Sequence, residues 1–296
     1  MPLHAEVNVA QLCKNGEELC GDNVQITRTA DSVIVVVSDG LGSGVKANIL
    51  ATLTTKIASS MLARGADLED VVETIAQTLP VCRERKIAYS TLQILRIDHN
   101  GNATLVEFDS PRTLLSRAGH VMPFPAQSRT IGGKTVLAGQ FELRENDWVV
   151  LVSDGVIHAG IGGLLPLGLG WNGIADRFSE DVTKAKDTAD LCSSLINCCE
   201  GYYLGKPGDD TTVVAVKIRN PRRINLMMGP PASPDHDATV VRSFLAAPGQ
   251  KIVSGGTTAT LVSRILGKPL KVSLEYHDPT IPPIAHLEGI DLVTEG

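Results

Sequence analysis

No basic stretch occurs anywhere in the 296 residues, and the formal net charge is −6. That argues against nucleic acid and against an anionic membrane as main partners, since both are gripped through clustered lysine and arginine. No positively charged leader runs into an apolar segment at the N-terminus, so the protein is expected in the cytoplasm. The six cysteines (Cys13, Cys20, Cys82, Cys192, Cys198 and Cys199) include no CxxC pair. They sit in apolar or helical contexts, which favours reduced core thiols over a zinc site. Asp, Glu, Lys and Arg are all missing between Asp154 and Asp176, about the length a membrane span needs. Seven glycines and Pro166 in that stretch would make a poor helix, and no membrane partner is expected. Residues Ala159 to Gly173 read instead as a mobile apolar loop. Its Leu164, Leu165, Leu167, Leu169 and Trp171 cover a site, grip a protein, or pack permanently on the core.

What the sequence does contain is one phrase written twice. Val35-Val36-Val37-Ser38-Asp39-Gly40 recurs as Val150-Leu151-Val152-Ser153-Asp154-Gly155. Each apolar, β-branched run reads as a strand buried on both faces. The glycine after it lets the backbone turn sharply and opens its carbonyl to a ligand. A carboxylate at the end of a rigid strand is held in place, as a hard cation such as Mg²⁺ or Mn²⁺ demands. A third acidic cluster, Gly208-Asp209-Asp210-Thr211-Thr212, opens the strand Val213-Val214-Ala215-Val216. Three such strand ends suggest a metal centre assembled from distant segments.

The length accommodates one large domain and a smaller one. Strands are expected over 22–27 and 33–37. A helix follows with Val45, Ile49, Leu53, Ile57 and Met61 as its buried face, stopped by Gly65. A second helix starts at an Asp67 cap, buries Val71, Val72, Ile75 and Leu79, and ends at Pro80. Strands over 91–97 and 103–109 flank Asp98-His99-Asn100-Gly101, a hairpin signal. Strands over 113–116 and 148–153 and a helix over 183–199 complete the first domain, residues 1–219. Two groups of strands with paired helices give an α+β class. Composition shifts at Asn220-Pro221-Arg222-Arg223, and residues 220–296 read as a small α/β domain. In it a Ser233-capped helix, a strand over 251–253, a helix from Thr257 to Gly267 and a strand over 270–274 follow one another. The chain stops at Gly296 straight after an apolar segment and is expected to be truncated there.

These motifs together resemble the SpoIIE-like branch of the PP2C superfamily of metal-dependent serine/threonine protein phosphatases. The resemblance rests on Cys20-Gly21-Asp22-Asn23, Ser38-Asp39-Gly40-Leu41-Gly42-Ser43-Gly44, Leu143-Arg144-Glu145-Asn146-Asp147-Trp148 leading into Ser153-Asp154-Gly155-Val156, and Gly208-Asp209-Asp210-Thr211-Thr212. Any one Asp-Gly is weak; the ordered four, spread over about residues 8–218, are specific. The resemblance implies a PP2C-like β-sandwich flanked by pairs of helices. It also implies two Mn²⁺ or Mg²⁺ ions and a metal-activated water that attacks phosphorus in line. Asp39 would bridge the ions and the Gly40 carbonyl would bind the second. Asp154 and Asp209 would complete the first, and Asp22 would act mostly from the outer shell. The implied partner is a small phosphorylated bacterial regulatory protein of the anti-anti-sigma kind, with a homodimer left open.

Two departures from the wider superfamily stand out. Where eukaryotic-type members carry a phosphate-clasping arginine, this chain has Gly16-Glu17-Glu18-Leu19. Where they carry a histidine after the first Asp-Gly, it has Leu41. Both losses are usual in the SpoIIE-like branch, and they leave the general acid unassigned. Asp235-His236-Asp237 suits the first turn of a helix better than a metal. Ser254-Gly255-Gly256-Thr257-Thr258 lacks the lysine and glycine spacing of a nucleotide loop. His158 reads as a wall residue, and Ser38 and Ser153 lack a placed base. Two other readings stay open: a non-catalytic signalling or binding module on the same fold, and a small-molecule phosphatase with a sensor domain.

Overall fold

The computed structural model describes residues 3–78, 90–131, 133–272 and 284–294. The chain divides into two compact units, Met1–Asn220 and Pro221–Gly296. Among the described residues no helix is long and apolar enough to cross a membrane.

The first unit opens with β1 (His4–Leu12), β2 (Asp22–Arg28) and β3 (Ser32–Asp39), then α1 (Gly44–Ala63) and α2 (Leu68–Thr78). Next come β4 (Leu92–Asp98), β5 (Asn102–Phe108), β6 (Leu114–Arg117), β7 (His120–Pro123), β8 (Gln127–Ile131), β9 (Lys134–Glu142) and β10 (Trp148–Val152). Helices α3 (Asp154–Ile157), α4 (Gly170–Asp181) and α5 (Thr188–Tyr202) lead to β11 (Thr211–Arg219). The strands form two sheets, β1-β11-β10-β6-β7 and β2-β3-β4-β5-β9-β8.

The apolar runs are explained by what lies on each side of these sheets. Successive strand residues point to opposite faces. Val33, Val35 and Val37 of β3 meet Val149 and Leu151 of β10 and Val214 and Val216 of β11 in the core between the sheets. The alternate residues Ile34 and Val36 pack against Ala58, Leu62, Val71, Val72 and Ile75 of α1 and α2. On the other side, Val150, Val152, Val213 and Ala215 pack against Ile174 and Phe178 of α4 and Leu191 and Leu195 of α5. Four layers result: a helix pair, two sheets and a second helix pair. Both faces of the central strands are dry, so no polar alternation is visible in them.

Three expectations need correction. On α1 the buried face consists of Gly44, Ala47, Ala51, Thr54, Thr55, Ala58, Ser59 and Leu62. Val45, Ile49 and Leu53 instead face solvent, at 60%, 52% and 49% exposure. Small residues let this helix lie close on the sheet, and the larger side chains are turned outward. The expected helix over 183–199 starts later and runs further, as α5 over Thr188–Tyr202, because Asp187 caps it and its side chain accepts from the Asp190 amide. The expected apolar loop ends earlier, because α4 begins at Gly170. Leu79, Pro80 and Cys82 lie outside the described residues.

The second unit holds β12 (Ile224–Met228), α6 (Asp237–Ala246), β13 (Gln250–Ser254), α7 (Gly256–Leu266), β14 (Lys271–Val272), β15 (Ile284–His286) and β16 (Leu292–Thr294). Its sheet runs β12-β13-β16-β15-β14, the first three strands parallel. Met227, Val253 and Val293 of the sheet pack with Val241, Ala259, Leu261 and Val262 of the helices. Gly267 ends α7 in the left-handed region, φ 65°, as a helix stop requires. Since each unit has its own core, a chain ending at Asn220 is expected to melt in one cooperative transition monitored by circular dichroism. A broad, non-cooperative melt would mean that the second unit braces the first.

Candidate metal centre

Each predicted acidic residue sits where a rigid strand ends. Asp39 closes β3 and faces Asp22 across the β2–β3 ladder. Asp154 follows β10 and opens α3, while Asp209 and Asp210 immediately precede β11. Strands β10 and β11 are neighbours, so their acidic ends are adjacent in space. Ligand atoms of Asp154, His158 and Asp209 all lie within 4.8 Å of one another. Asp39 falls outside that tight group, and its carboxyl meets that of Asp154 instead.

The glycines have a different task from the turn expected of them. Neither Gly40 nor Gly155 has a positive φ among the described residues. A Cβ on Gly40 would lie 2.0 Å from the Ala47 carbonyl oxygen, and one on Gly155 would lie 2.1 Å from that of Asp210. Each glycine lets the end of a strand touch the neighbouring backbone, α1 in one case and the segment before β11 in the other.

Hydroxyls lock the same region. Thr212 donates to Asp22 Oδ2 at 2.6 Å, and the Thr212 amide donates to Ser153 Oγ at 2.9 Å. Ser38 Oγ donates to the Thr91 carbonyl at 2.6 Å. Both motif serines thus tie one strand to another, which accounts for them without nucleophilic chemistry. Tyr203 donates to the Gly155 carbonyl at 2.6 Å and pins the turn that carries Asp154.

Crowded carboxylates in a partly buried place resist ionisation. Burial, and then the carboxylates of Asp22, Asp154 and Asp209, raise Asp39 from 3.8 to about 9. Burial raises Asp22 to about 6, against the hydrogen bond from Thr212. Asp209 is also raised, by burial and by Asp154, with Lys14 opposing; the Lys14 ammonium is 3.9 Å from its carboxylate.

This donor set fits a hard divalent cation. The donors are mainly carboxylate oxygens, and the buried Oδ1 atoms of Asp22 and Asp154 have no hydrogen-bond partner among the described residues. Buried polar atoms are normally paired, so orphaned acceptors in a negative cluster suit the binding of a cation.

Two residues gain a part in the site that the sequence reading did not give them: His158, read as a wall residue, and Asp210, named only within its motif. His158 places Nδ1 3.8 Å from Asp154 Oδ2, one helical turn along; the i,i+4 spacing was the available signal. Asp210 is buried and accepts from the Lys14 amide at 2.9 Å, so it holds the β1–β2 segment. Nothing local in the sequence foretells that contact.

The family model for Stage II sporulation protein E (SpoIIE) matches residues 29–219. The chain belongs to the SpoIIE family. SpoIIE of Bacillus subtilis (strain 168) is 24% identical over 218 residues, covering 71% of this chain and 25% of that protein. The chain thus spans about a quarter of the length of the curated SpoIIE relatives it matches. Among solved structures, it is similar to the PP2C phosphatase domain and regulatory-domain fragment of the cell fate determinant SpoIIE from Bacillus subtilis. The identity is 22% and the TM-score 0.63, over 75% of this chain and 64% of that one. RsbX in complex with magnesium is 20% identical with a TM-score of 0.52, over 73% of this chain and 96% of that one. These likenesses show the fold, the PP2C phosphatase fold of the SpoIIE branch.

The raised carboxyls have a consequence for the metal-free protein. Folded Asp39 keeps its proton up to about pH 9, whereas an unfolded aspartate loses it near 3.8. Its contribution to stability is fully present below pH 3.8 and is lost as pH rises toward 9. Asp39→Asn is therefore expected to raise the melting temperature of chelator-treated protein at pH 8 and to flatten its pH dependence. Calorimetry between pH 5 and pH 9 reads this directly; an unchanged or lower melting temperature at pH 8 counts against the crowding.

Proposed function

We propose that this chain is a metal-dependent phosphoprotein phosphatase that hydrolyses phosphoserine or phosphothreonine on a small bacterial regulatory protein. The reading rests on one observation above all: carboxylates from separate strand ends crowd together, with buried oxygens left unpaired. A cluster that repels itself is stabilised by cations. In this reading Asp39, the Gly40 carbonyl, Asp154 and Asp209 would hold two Mn²⁺ or Mg²⁺ ions. Asp22, fixed by Thr212, accepts hydrogen bonds from behind. When bound, the ions supply neutralisation of the phosphoryl oxygens and activation of the attacking water.

The surroundings favour a phosphorylated protein over a small ester. A cavity of about 510 Å³ adjoins Asp154 and is lined by His158, Ser110, Arg112 and Trp171 among others. Arg112 donates from Nε to Glu107 at 3.0 Å and from Nη2 to the Phe124 carbonyl at 2.8 Å. The Trp171 indole donates to the Arg112 carbonyl at 2.8 Å. A guanidinium braced in this manner meets a phosphate at little entropic cost. In the loop between the lining residues His158 and Trp171, Ile161, Leu164 and Leu167 are exposed at 51%, 55% and 87%. Exposed apolar side chains of that kind suit contact with a folded partner.

The reading makes two measurable claims. Phosphate release from phosphoserine peptides and p-nitrophenyl phosphate is expected with Mn²⁺ or Mg²⁺ and absent with chelator. Asp39→Asn, Asp154→Asn and Asp209→Asn are each expected to lower kcat by roughly 10²- to 10³-fold, on the scale of losing one preorganised charge-stabilising group. Activity that survives in all three variants would sink the assignment. Secondly, α1 follows the first Asp-Gly directly, so saturating Mn²⁺ is expected to slow amide hydrogen exchange across residues 44–78. Identical exchange with and without metal would show that the helix pair is uncoupled from the centre.

A further inference from the structure

Cys13 and Cys20 lie on the segment that joins β1 to β2, and Asp210 lies just before β11. Both sulfurs and a carboxylate oxygen of Asp210 come within 4.8 Å of one another. We propose that Cys13, Cys20 and Asp210 bind a thiophilic divalent cation, with Zn²⁺ as the natural occupant, at a site separate from the hard-cation centre.

The donor set is soft where the Asp39 centre is hard. Two thiolates and one carboxylate, with a fourth position open to water, meet the coordination that zinc takes at a three-ligand site, and thiolates select it over magnesium. The ligands are also oriented from outside, as those of metal sites are. Gln11 Nε2 donates to Cys20 Sγ at 3.7 Å and to Thr212 Oγ1 at 2.9 Å, which aims the sulfur. The Lys14 amide takes Asp210 Oδ1 at 2.9 Å and leaves Oδ2 for a cation. Cys13 is exposed and Cys20 partly so, giving an entry path, while Asp210 is 3% exposed and forms the floor.

Occupancy has a mechanical meaning. Between the two cysteines lies Glu17, which accepts a hydrogen bond from Ser43 Oγ at 2.7 Å at the start of α1. Two residues after Cys20 comes Asp22. A cation at this site staples the β1–β2 segment to the start of β11 and so fixes both contacts. The binding itself is independent of whether the chain is a phosphatase.

The test uses the reduced 296-residue chain in excess Mg²⁺, added to compete for the hard-cation centre. Zn²⁺ uptake is read against a chromophoric chelator, and Co²⁺ uptake by absorption. One Zn²⁺ per chain is expected, together with a sulfur-to-cobalt charge-transfer band and tetrahedral d–d bands. Cys13→Ser and Cys20→Ser are each expected to weaken Zn²⁺ binding by about 10-fold or more and to remove or diminish the charge-transfer band. Cys198→Ser, on α5, is expected to match the parent. Asp154→Asn dismantles the other three-ligand group and is expected to leave Zn²⁺ uptake intact. The proposal fails if the two cysteine variants bind Zn²⁺ like the parent, or if Asp154→Asn abolishes uptake. It fails equally if the parent takes up no metal while thiol counting shows Cys13 and Cys20 closed into a disulfide that re-reduction opens without restoring uptake.

Discussion

Mutual repulsion among the carboxylates of Asp22, Asp39, Asp154 and Asp209 is the constraint that the first unit is organised to withstand. Burial and like charge push Asp39 to about 9, so in the absence of a cation part of the cluster stays protonated. A flexible scaffold would relieve this strain by moving the groups apart. Here each group ends or precedes a strand whose neighbours are paired and whose two faces are both covered. The covered strands supply the stability against which the cluster is held. Interiors packed to crystal density deform little, and the acidic groups inherit that stiffness.

The glycines of the repeated phrase follow from the same constraint. Crowding four carboxylates requires their backbones to be crowded too, and side chains at Gly40 or Gly155 would collide with the Ala47 or Asp210 carbonyl oxygens. Close approach, more than backbone conformation, is why an Asp-Gly pair appears twice. Hydroxyls then replace water as hydrogen-bond partners where it is excluded. Thr212 serves Asp22, and Ser153 serves the Thr212 amide.

Legibility in the sequence tracked how local each cause is. The strands β3 and β10 and the acidic residues after them could be read directly, since a run buried on both faces and its strand-end aspartate are contiguous. The sandwich and its helix pairs followed from two groups of strands with paired helices between them, and the family resemblance implied the same. The inward face of α1 could not be read, because Ala47, Ala51, Thr54 and Thr55 carry almost no hydrophobic signal, while exposed Val45, Ile49 and Leu53 carry a strong one. Helix α4 was hidden by its start, which has two glycines within four residues and no capping side chain. Its buried Ile174 and Phe178 are only one turn apart. The parts of the site that escaped notice depend on pairings across nearly the whole unit. Asp210 meets Lys14, and Cys13 and Cys20 meet Asp210, at separations of about 190 residues that no spacing rule covers.

That long-range pairing gives the β1–β2 segment a place in the logic of the centre. At one end it is held by buried Asp210 through the Lys14 amide, and at the other it enters β2 at Asp22, opposite Asp39. In its middle, Glu17 accepts from Ser43 at the head of α1, and α1 in turn lies against Gly40 through Ala47. The turn that carries Asp39 is therefore enclosed by a loop and a helix that hold each other. Both contacts bear on where Asp39 sits relative to the pair at Asp154 and Asp209. Small movements of exposed elements thus act on a charge cluster whose energy is steep in distance. Stiff strands and this loop–helix enclosure act together on the spacing of the acidic cluster.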